Sequence, residues 1–506
     1  LGIQLYDLER VEVLRGPQGT LYGKNTTGGA INFITKKPGF DTSGYFKIGT
    51  GNYGRREAEG AIQGALVPDK LAARLAVTYA KADGFIKNVL PGAPDLEGVD
   101  QYGVRLTLLY KASNDLDFTL RLAASKQNPY NYAIIAGRVS PLGIGTVGYF
   151  RTSDGTATGV PLADDEVAQN YTPRRRQENK SAALTAKWNF SDKYALTSIT
   201  SWDQGELFNP EGTDGAPLDI WKIPYFGKTR QVTQDLRLST TGTDALSFIL
   251  GAYYQREVVF NTNENKIFNF LDYNGDGAIN FQDCADSSYT NPNPIPGFGY
   301  SNGAFINLSC NYYNQFDQIR NSWAVYSDGS YALNDQFKIR AGLRFNHDNA
   351  SQKNAIDQLR GPDEVPIASI FNLGTCIAGL PGVVCPLLAL PGSPGYDAAV
   401  NTSRSQYAHN TDFTGRLGLD WTPTPGVLIY LNLSKGYRGA AFNAQFLFTP
   451  TDFTTVEPEK LNAAEVGFKT SWLDNRLQFN GSIFHYQYKN QQIINVYPTG
   501  QQPLIN

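Results

Sequence analysis

The residues with a spacing fit for chemistry are few. Asp272-Tyr-Asn-Gly-Asp-Gly-Ala-Ile-Asn-Phe-Gln-Asp283 places oxygen donors at positions 1, 3, 5, 9 and 12 of a twelve-residue loop. This is the spacing of a calcium loop: Asp272, Asn274, Asp276, the Ala278 carbonyl, Asn280 through water and Asp283 would surround one Ca2+, with Gly277 making the sharp turn. Asp stands at position 12, where a bidentate Glu is usual, and a reduced affinity is expected from it. The competing reading is an Asp/Asn/Gly-rich surface turn. Four cysteines follow in two local pairs, Cys284 with Cys310 and Cys376 with Cys385. Neither pair has zinc or redox spacing, so two loop disulfides from an oxidising compartment are expected, against four free thiols. His347, His409 and His485 are scattered along the chain, far in sequence from any serine nucleophile or second metal ligand. No enzymatic activity is expected.

The elements that hold these loops read with period 2. In Leu71 to Lys81, Leu71, Ala73, Leu75, Val77 and Tyr79 share one face and Ala72, Arg74, Ala76, Thr78 and Ala80 the other. Val104 to Lys111 and Val427 to Ser434 alternate alike, as half-buried strands do. Fifteen such strands are expected, at 44–52, 54–67, 71–85, 101–113, 117–128, 178–190, 194–208, 228–240, 246–260, 318–333, 336–352, 406–423, 427–443, 462–473 and 476–490. Many have the 9–11 residues or more that cross a bilayer at a tilt. Their connections alternate. Short ones such as Val67-Pro-Asp-Lys70, Ser191-Asp-Lys193 and Leu473-Asp-Asn475 are built from turn residues. The long ones are 86–100, 129–177, 209–227, 261–317, 353–405 and 444–461. Short turns at one end and long loops at the other are the signature of a membrane barrel. A propeller would show repeats of about 40–50 residues, and a sandwich would not carry such loops.

Composition agrees. Of 506 residues, 18% are charged and 12% aromatic, with 50 Gly, and mean hydropathy is −0.34. No clean run of 18 apolar residues is present, which excludes a helical membrane bundle. Lys+Arg is 44 and Asp+Glu 47, a net charge of −3 that argues against nucleic acid as a partner. The chain has no Met. With its odd strand count, where outer-membrane barrels use even ones, it reads as an internal piece of a longer protein.

The first forty residues differ. Leu8 to Gly23 is a strand running into a Gly/Pro turn, and Thr27 to Pro38 is a second strand after a Gly pair. The string ERVEVLRGPQGTLYGKNTTGGAINFITKKP resembles the C-terminal part of the plug domain of TonB-dependent outer-membrane receptors, with Arg15, Gly16, Leu21, Tyr22, Gly23, Gly28, Gly29 and Asn32 carrying the motif. LSKGYRGAAFN and the stretch Val456 to Asn490 resemble barrel strands of the same family. The resemblance implies an all-β fold: a large antiparallel transmembrane β-barrel of 22 strands, about 15 present, plugged from its N-terminal side. The domains would be 1–39, the end of the plug, and 44–506, the barrel. It also implies ion pairs between plug arginines, Arg10 and Arg15, and barrel carboxylates, Glu57, Glu59 and Glu465. Function would be TonB-coupled import of a scarce solute (siderophore, other metal chelate, cobalamin or oligosaccharide) across the outer membrane of a Gram-negative bacterium, with TonB and outer-membrane lipid as partners. A passive porin-like channel and a surface adhesin with calcium-ordered loops are the alternatives. Aromatic stretches such as Tyr130-Asn-Tyr132 and Tyr312-Tyr313 would stack on a ligand or sit in the interfacial girdle.

Overall fold

The structure is a computed structural model that describes residues 5–134, 162–213, 215, 221–242, 245–267, 269, 277–280, 311–369, 396–443, 453–495 and 504–505. It begins with a small hairpin, β1 (Leu8–Arg15) and β2 (Gly29–Thr35), joined through one helical turn, α1 (Gly19–Tyr22). Fifteen long strands follow: β3 (Ser43–Gly51), β4 (Arg55–Val67), β5 (Leu71–Ala82), β6 (Val99–Lys111), β7 (Leu116–Gln127), β8 (Arg176–Ser191), β9 (Tyr194–Gly212), β10 (Trp221–Thr240), β11 (Leu246–Ile267), β12 (Asn311–Ala332), β13 (Phe337–Arg360), β14 (Ser403–Thr424), β15 (Val427–Arg438), β16 (Glu459–Trp472) and β17 (Leu477–Lys489). Each pairs antiparallel with the next, so all fifteen expected strands form one meander. Pro366–Ser369, paired on β13, makes the sheet sixteen-stranded. No helix among the described residues is long and apolar enough to cross a membrane.

The sheet is inside out relative to a soluble protein. On β5, Ala72, Arg74, Ala76 and Ala80 are buried while Leu75, Val77 and Tyr79 are exposed. Leu431 and Val466 are exposed too, and Arg105 is buried with Arg74. Water penalises such an apolar face, whereas hydrocarbon favours it and an outward charge there costs about 2–4 kcal/mol. The outer face also carries a ruler. Tyr102 and Tyr110 on β6, Tyr194 and Trp202 on β9, Trp323 and Tyr331 on β12, and Phe413 and Trp421 on β14 are all exposed, and in each pair the two residues stand eight positions apart. Eight residues rise about 27 Å along a strand, or roughly 20 Å across a bilayer at a tilt near 40°. The two aromatic rows therefore bracket an apolar band of membrane height.

The strands differ from expectation at one end. β9 to β13 run past their expected limits on the long-loop side, β13 by eight residues and β11 by seven. There the chain is polar on the inner face, as at Asn261, Asn263, Asn265 and Asn314, so the alternation that marks a strand inside lipid fades. On the opposite side the turns are tight. Asp474 and Asn475 take left-handed φ values of 53° and 65°, which suit Asp and Asn.

Leu417 is 53% exposed, midway between Phe413 and Trp421. Leu417→Arg is expected to destabilise the wall by about 2–4 kcal/mol, read from denaturant unfolding in lipid vesicles. An unchanged midpoint would contradict the lipid-facing assignment.

Candidate functional site at the seam between plug and wall

The β1–β2 unit lies against the inner face of the sheet. It touches β4 to β6 through Asp7 and β12 to β16 through residues 19 to 27, so the sheet wraps round it. Asp7, just ahead of β1, adopts φ +50° and is buried. Its carboxylate accepts from Arg74 Nε at 2.9 Å and from Arg74 Nη2, and Arg105 Nη2 stands at 3.4 Å. Arg105 also donates to the carbonyls of Tyr6 (3.0 Å) and Asp7 (3.1 Å) and lies over the Tyr6 ring. Arg74 is held in turn by Gln63 Oε1 at 2.7 Å, and the Asp7 N–H donates to Glu59 Oε1 at 3.3 Å. Burial alone would push the Asp7 carboxyl up, but hydrogen bonding to Arg74 and the charges of Arg74 and Arg105 outweigh it and hold it below the usual carboxylate value.

The second contact is the turn that closes the plug hairpin. Lys24 Nζ donates to Asp348 Oδ1 at 2.8 Å and to Ser322, and the Tyr437 hydroxyl donates to the same carboxylate. Burial lowers the Lys24 ammonium; Asp348 offsets this in part and Arg320 adds to it. The backbone is stitched as well. Asn25 N–H donates to Tyr437 O (2.9 Å), Gly439 N–H to Asn25 Oδ1 (3.2 Å) and Thr414 Oγ1 to Gly19 O (2.9 Å). Two glycines of the matching string are explained by this closeness, Gly23 of the motif and Gly19 beside it. A Cβ on Gly19 would stand 2.9 Å from Thr414 Cβ, and Gly23 has φ +77° and passes Arg344 so closely that its Cβ would lie 3.1 Å from Nη2. Asn32 of the motif donates to the Tyr22 hydroxyl at 2.7 Å.

The expected ion pairs are not the ones formed. Arg10 pairs with Glu9 and Glu12 beside it, both at 2.7 Å and exposed, and Glu57 pairs with Arg55 at 2.7 Å on its own strand. Among the described residues Arg15 makes no ion pair; its carbonyl accepts from Gln18. Glu465 points inward and accepts from the Tyr430 hydroxyl at 2.6 Å, across the strand from Gly467, whose missing side chain leaves room for that ring. Only Glu59 meets the plug, and it meets a backbone N–H. The polarity at Asp7 is reversed: the carboxylate is on the plug and the arginines are on the wall. The signal for this was available, since Arg74 and Arg105 interrupt an inner face of small residues and a buried cation needs a counter-charge.

Other expected groups fall elsewhere. The rings of Tyr130, Tyr132 and Tyr313 lie under Arg174, Arg175 and Arg360, 4.2, 3.7 and 3.4 Å from the guanidinium carbons, and Tyr132 keeps an exposed edge. His347 and His409, distant in sequence, meet on the outer face at 4.7 Å between ring centres. No group of three His, Cys, Asp or Glu suited to a metal occurs among the described residues. Asp272, Asn274, Asp276 and Asp283 lie outside the described residues, as do Cys284, Cys310, Cys376 and Cys385. Of the calcium-loop set Gly277, Ala278 and Asn280 are described, with Gly277 at φ +85°.

Between the plug turn and strands β10 to β13 lies a cavity of about 280 Å³, bordered by Lys24, Gln231, Gln255, Glu257, Arg320 and Arg344. The β1–β2 unit is thus held by ion pairs against the polar inner face of a sheet whose outer face is apolar.

Comparison with known proteins agrees. Residues 129–504 match the model of the TonB-dependent receptor-like β-barrel, and residues 2–30 match the TonB-dependent receptor plug domain. The chain belongs to the TonB-dependent receptor family. It is 24% identical over 508 residues to a pesticin receptor of Yersinia enterocolitica, covering 99% of this chain and 59% of that protein. It is 22% identical over 526 residues to the catecholate siderophore receptor Fiu of Escherichia coli O157:H7, covering 96% and 60%. Among solved structures, the ferric yersiniabactin uptake receptor FyuA from Yersinia pestis superposes with a TM-score of 0.70 at 18% identity, over 97% of this chain and 61% of that one. The siderophore receptor PiuA from Acinetobacter baumannii gives 0.61 at 17% identity, over 96% and 62%. These likenesses show the fold, and the chain spans about three-fifths of the length of these relatives. The family is made up of transport receptors rather than enzymes, and its place is the outer membrane of Gram-negative bacteria.

Asp7→Ala leaves Arg74 and Arg105 buried without their counter-charge. It is expected to destabilise plug seating by about 3–5 kcal/mol, seen as faster protease cleavage near Tyr6. The lowered carboxyl sets the pH dependence. The contribution is complete above the unfolded aspartate value of about 3.9 and is lost as pH falls through the lower folded value, so seating should survive pH 5 and fail only below the ordinary aspartate range. Release already at pH 5 would contradict it.

Proposed function

We propose that this chain forms much of the wall and the inner part of the plug of a receptor that binds a scarce extracellular metal chelate of the siderophore class and imports it with energy from TonB. The observation that carries the reading is the seated plug. Asp7 and Lys24 fix it to opposite stretches of wall through buried ion pairs, which a freely open pore does not need. That relatives are named as siderophore receptors supports the choice of cargo. The passive channel is disfavoured by the same seam, and no catalytic role is proposed. The test uses the full receptor. Its deletion should slow growth under iron limitation, complementation should require TonB, and the purified protein should leave liposomes impermeable to small sugars. Swelling at porin-like rates would support the channel, and binding without TonB-dependent uptake would support the adhesin.

We also infer that Asp272 to Asp283 binds one calcium ion, on the spacing of its donors and the left-handed Gly277. Asp276→Ala should abolish calcium heat in calorimetry and increase nicking between 261 and 317, with barrel assembly unchanged. Cys284–Cys310 and Cys376–Cys385 are proposed as bonded pairs, each stabilising its loop by about 3 kcal/mol. Non-reduced peptide mapping that joined Cys284 to Cys376 would refute that pairing.

A further inference from the structure

The cavity beneath the plug turn gathers three cations, and among the described residues only Lys24 has a carboxylate in contact. Arg344 is 4% exposed. Its Nε donates to Asn346 Oδ1 at 2.7 Å, and its guanidinium lies over the rings of Tyr253 and Tyr326, at 5.3 and 5.0 Å. Gly23 of the plug passes across its Nη2. Arg320 donates through Nη2 to the Ala440 carbonyl at 3.1 Å, and its Nε is buried without a partner. Among the described residues neither arginine makes an ion pair. Glu257 also borders the cavity and makes none. With Asp348 committed to Lys24, Glu257 offsets one guanidinium at most, so the lining keeps one positive charge in excess. An uncompensated buried charge is costly. Guanidinium forks match the planar or tetrahedral oxygens of carboxylate and phosphate better than a spherical ion. At about 280 Å³ the space admits such a group with several waters.

We propose that this cavity binds a small oxyanion, a carboxylate or phosphate group, received by Arg344 and Arg320 at the seam between plug and wall. Because Gly23 and Lys24 form its roof, the site is complete only while the plug is seated. By linkage, an anion that prefers the complete site also favours the seated plug. The anion has two sources: a free solute, or an anionic group carried by the imported chelate. The second rests on the function proposed above and the first does not.

The test is titration calorimetry of the full receptor in detergent with acetate, inorganic phosphate and ferric citrate, beside Arg344→Gln and Arg320→Gln. Wild type should bind, and at least one variant should bind at least about 10-fold more weakly. Without added anion, protease protection of the plug should be unchanged in that variant, which separates a lost anion site from a lost plug contact. Binding of acetate and phosphate assigns the free solute; binding of ferric citrate alone assigns the cargo group. No binding of any probe, or wild-type affinity in both variants, overturns the proposal. Failure of TonB-dependent growth would leave these equilibrium results standing and count only against the transport reading.

Discussion

Hydrocarbon offers no hydrogen bonds, so every backbone N–H and C=O in the bilayer must find its partner within the protein. That constraint fixes the rest of this molecule. It forces long antiparallel strands into one continuous sheet, and it gives each strand an apolar face for lipid. With a period of two, the other face must then be the place for everything polar. Buried residues here are accordingly Arg74, Arg105, Asp235, Arg344 and Asp348, while Leu75, Val325, Leu417 and Val466 are exposed. A lumen lined with charges has to balance them, and the balance is struck in two ways. Wall charges pair with each other, as Arg340 does with Asp420 and Arg416 with Asp328, both at 2.6 Å. Others, Arg74, Arg105 and Asp348, reach for the plug.

The seam inherits its character from that arrangement. A buried ion pair gains little over an apolar contact of the same shape, because desolvation consumes most of the attraction, but removing one partner is severe. An apolar plug surface would slide past a polar wall with little preference for position. Asp7 between two arginines, and Lys24 among Asp348, Ser322 and Tyr437, specify one position and resist partial opening. The two contacts also divide the labour by element. Asp7 fixes the chain before the hairpin to β4, β5 and β6, and the turn after α1 engages β12 to β16. Displacing this segment therefore separates charges at two distant points of the wall, which suits a closure that holds until it is driven. The cavity lies beside the second contact, where Arg320 and Arg344 stand next to Lys24 and outnumber the carboxylates left for them.

Much of the fold was written in the chain, and the reason is lipid. All fifteen strands were legible because alternation is strict where one face meets hydrocarbon, and tight turns were legible from Asp, Asn, Gly and Pro. The strand ends beyond the bilayer were not, since β11 and β13 there place Asn263 and Asp357 on the inner face and no longer need an apolar outer one. The plug motif was legible as a string, but its glycines acquired a cause only in space. Gly19 and Gly23 are bare because Thr414 and Arg344, nearly 400 and more than 300 residues away, pass too close for a side chain.

Sequence by itself determined the architecture, the inward direction of Arg74 and Arg105, and the membrane-facing residues, because these follow from local period and local turn chemistry. It did not determine who pairs with whom. Arg10 and Arg15 looked like the plug's charges, yet Arg10 is satisfied by its neighbours Glu9 and Glu12, and the plug is held instead by Asp7 and Lys24. Partner choice in a lumen depends on which inward-facing positions the closing sheet brings opposite the plug. Residues 7 and 74, or 24 and 348, share no local pattern, so only the tertiary structure could decide between chemically equivalent charges.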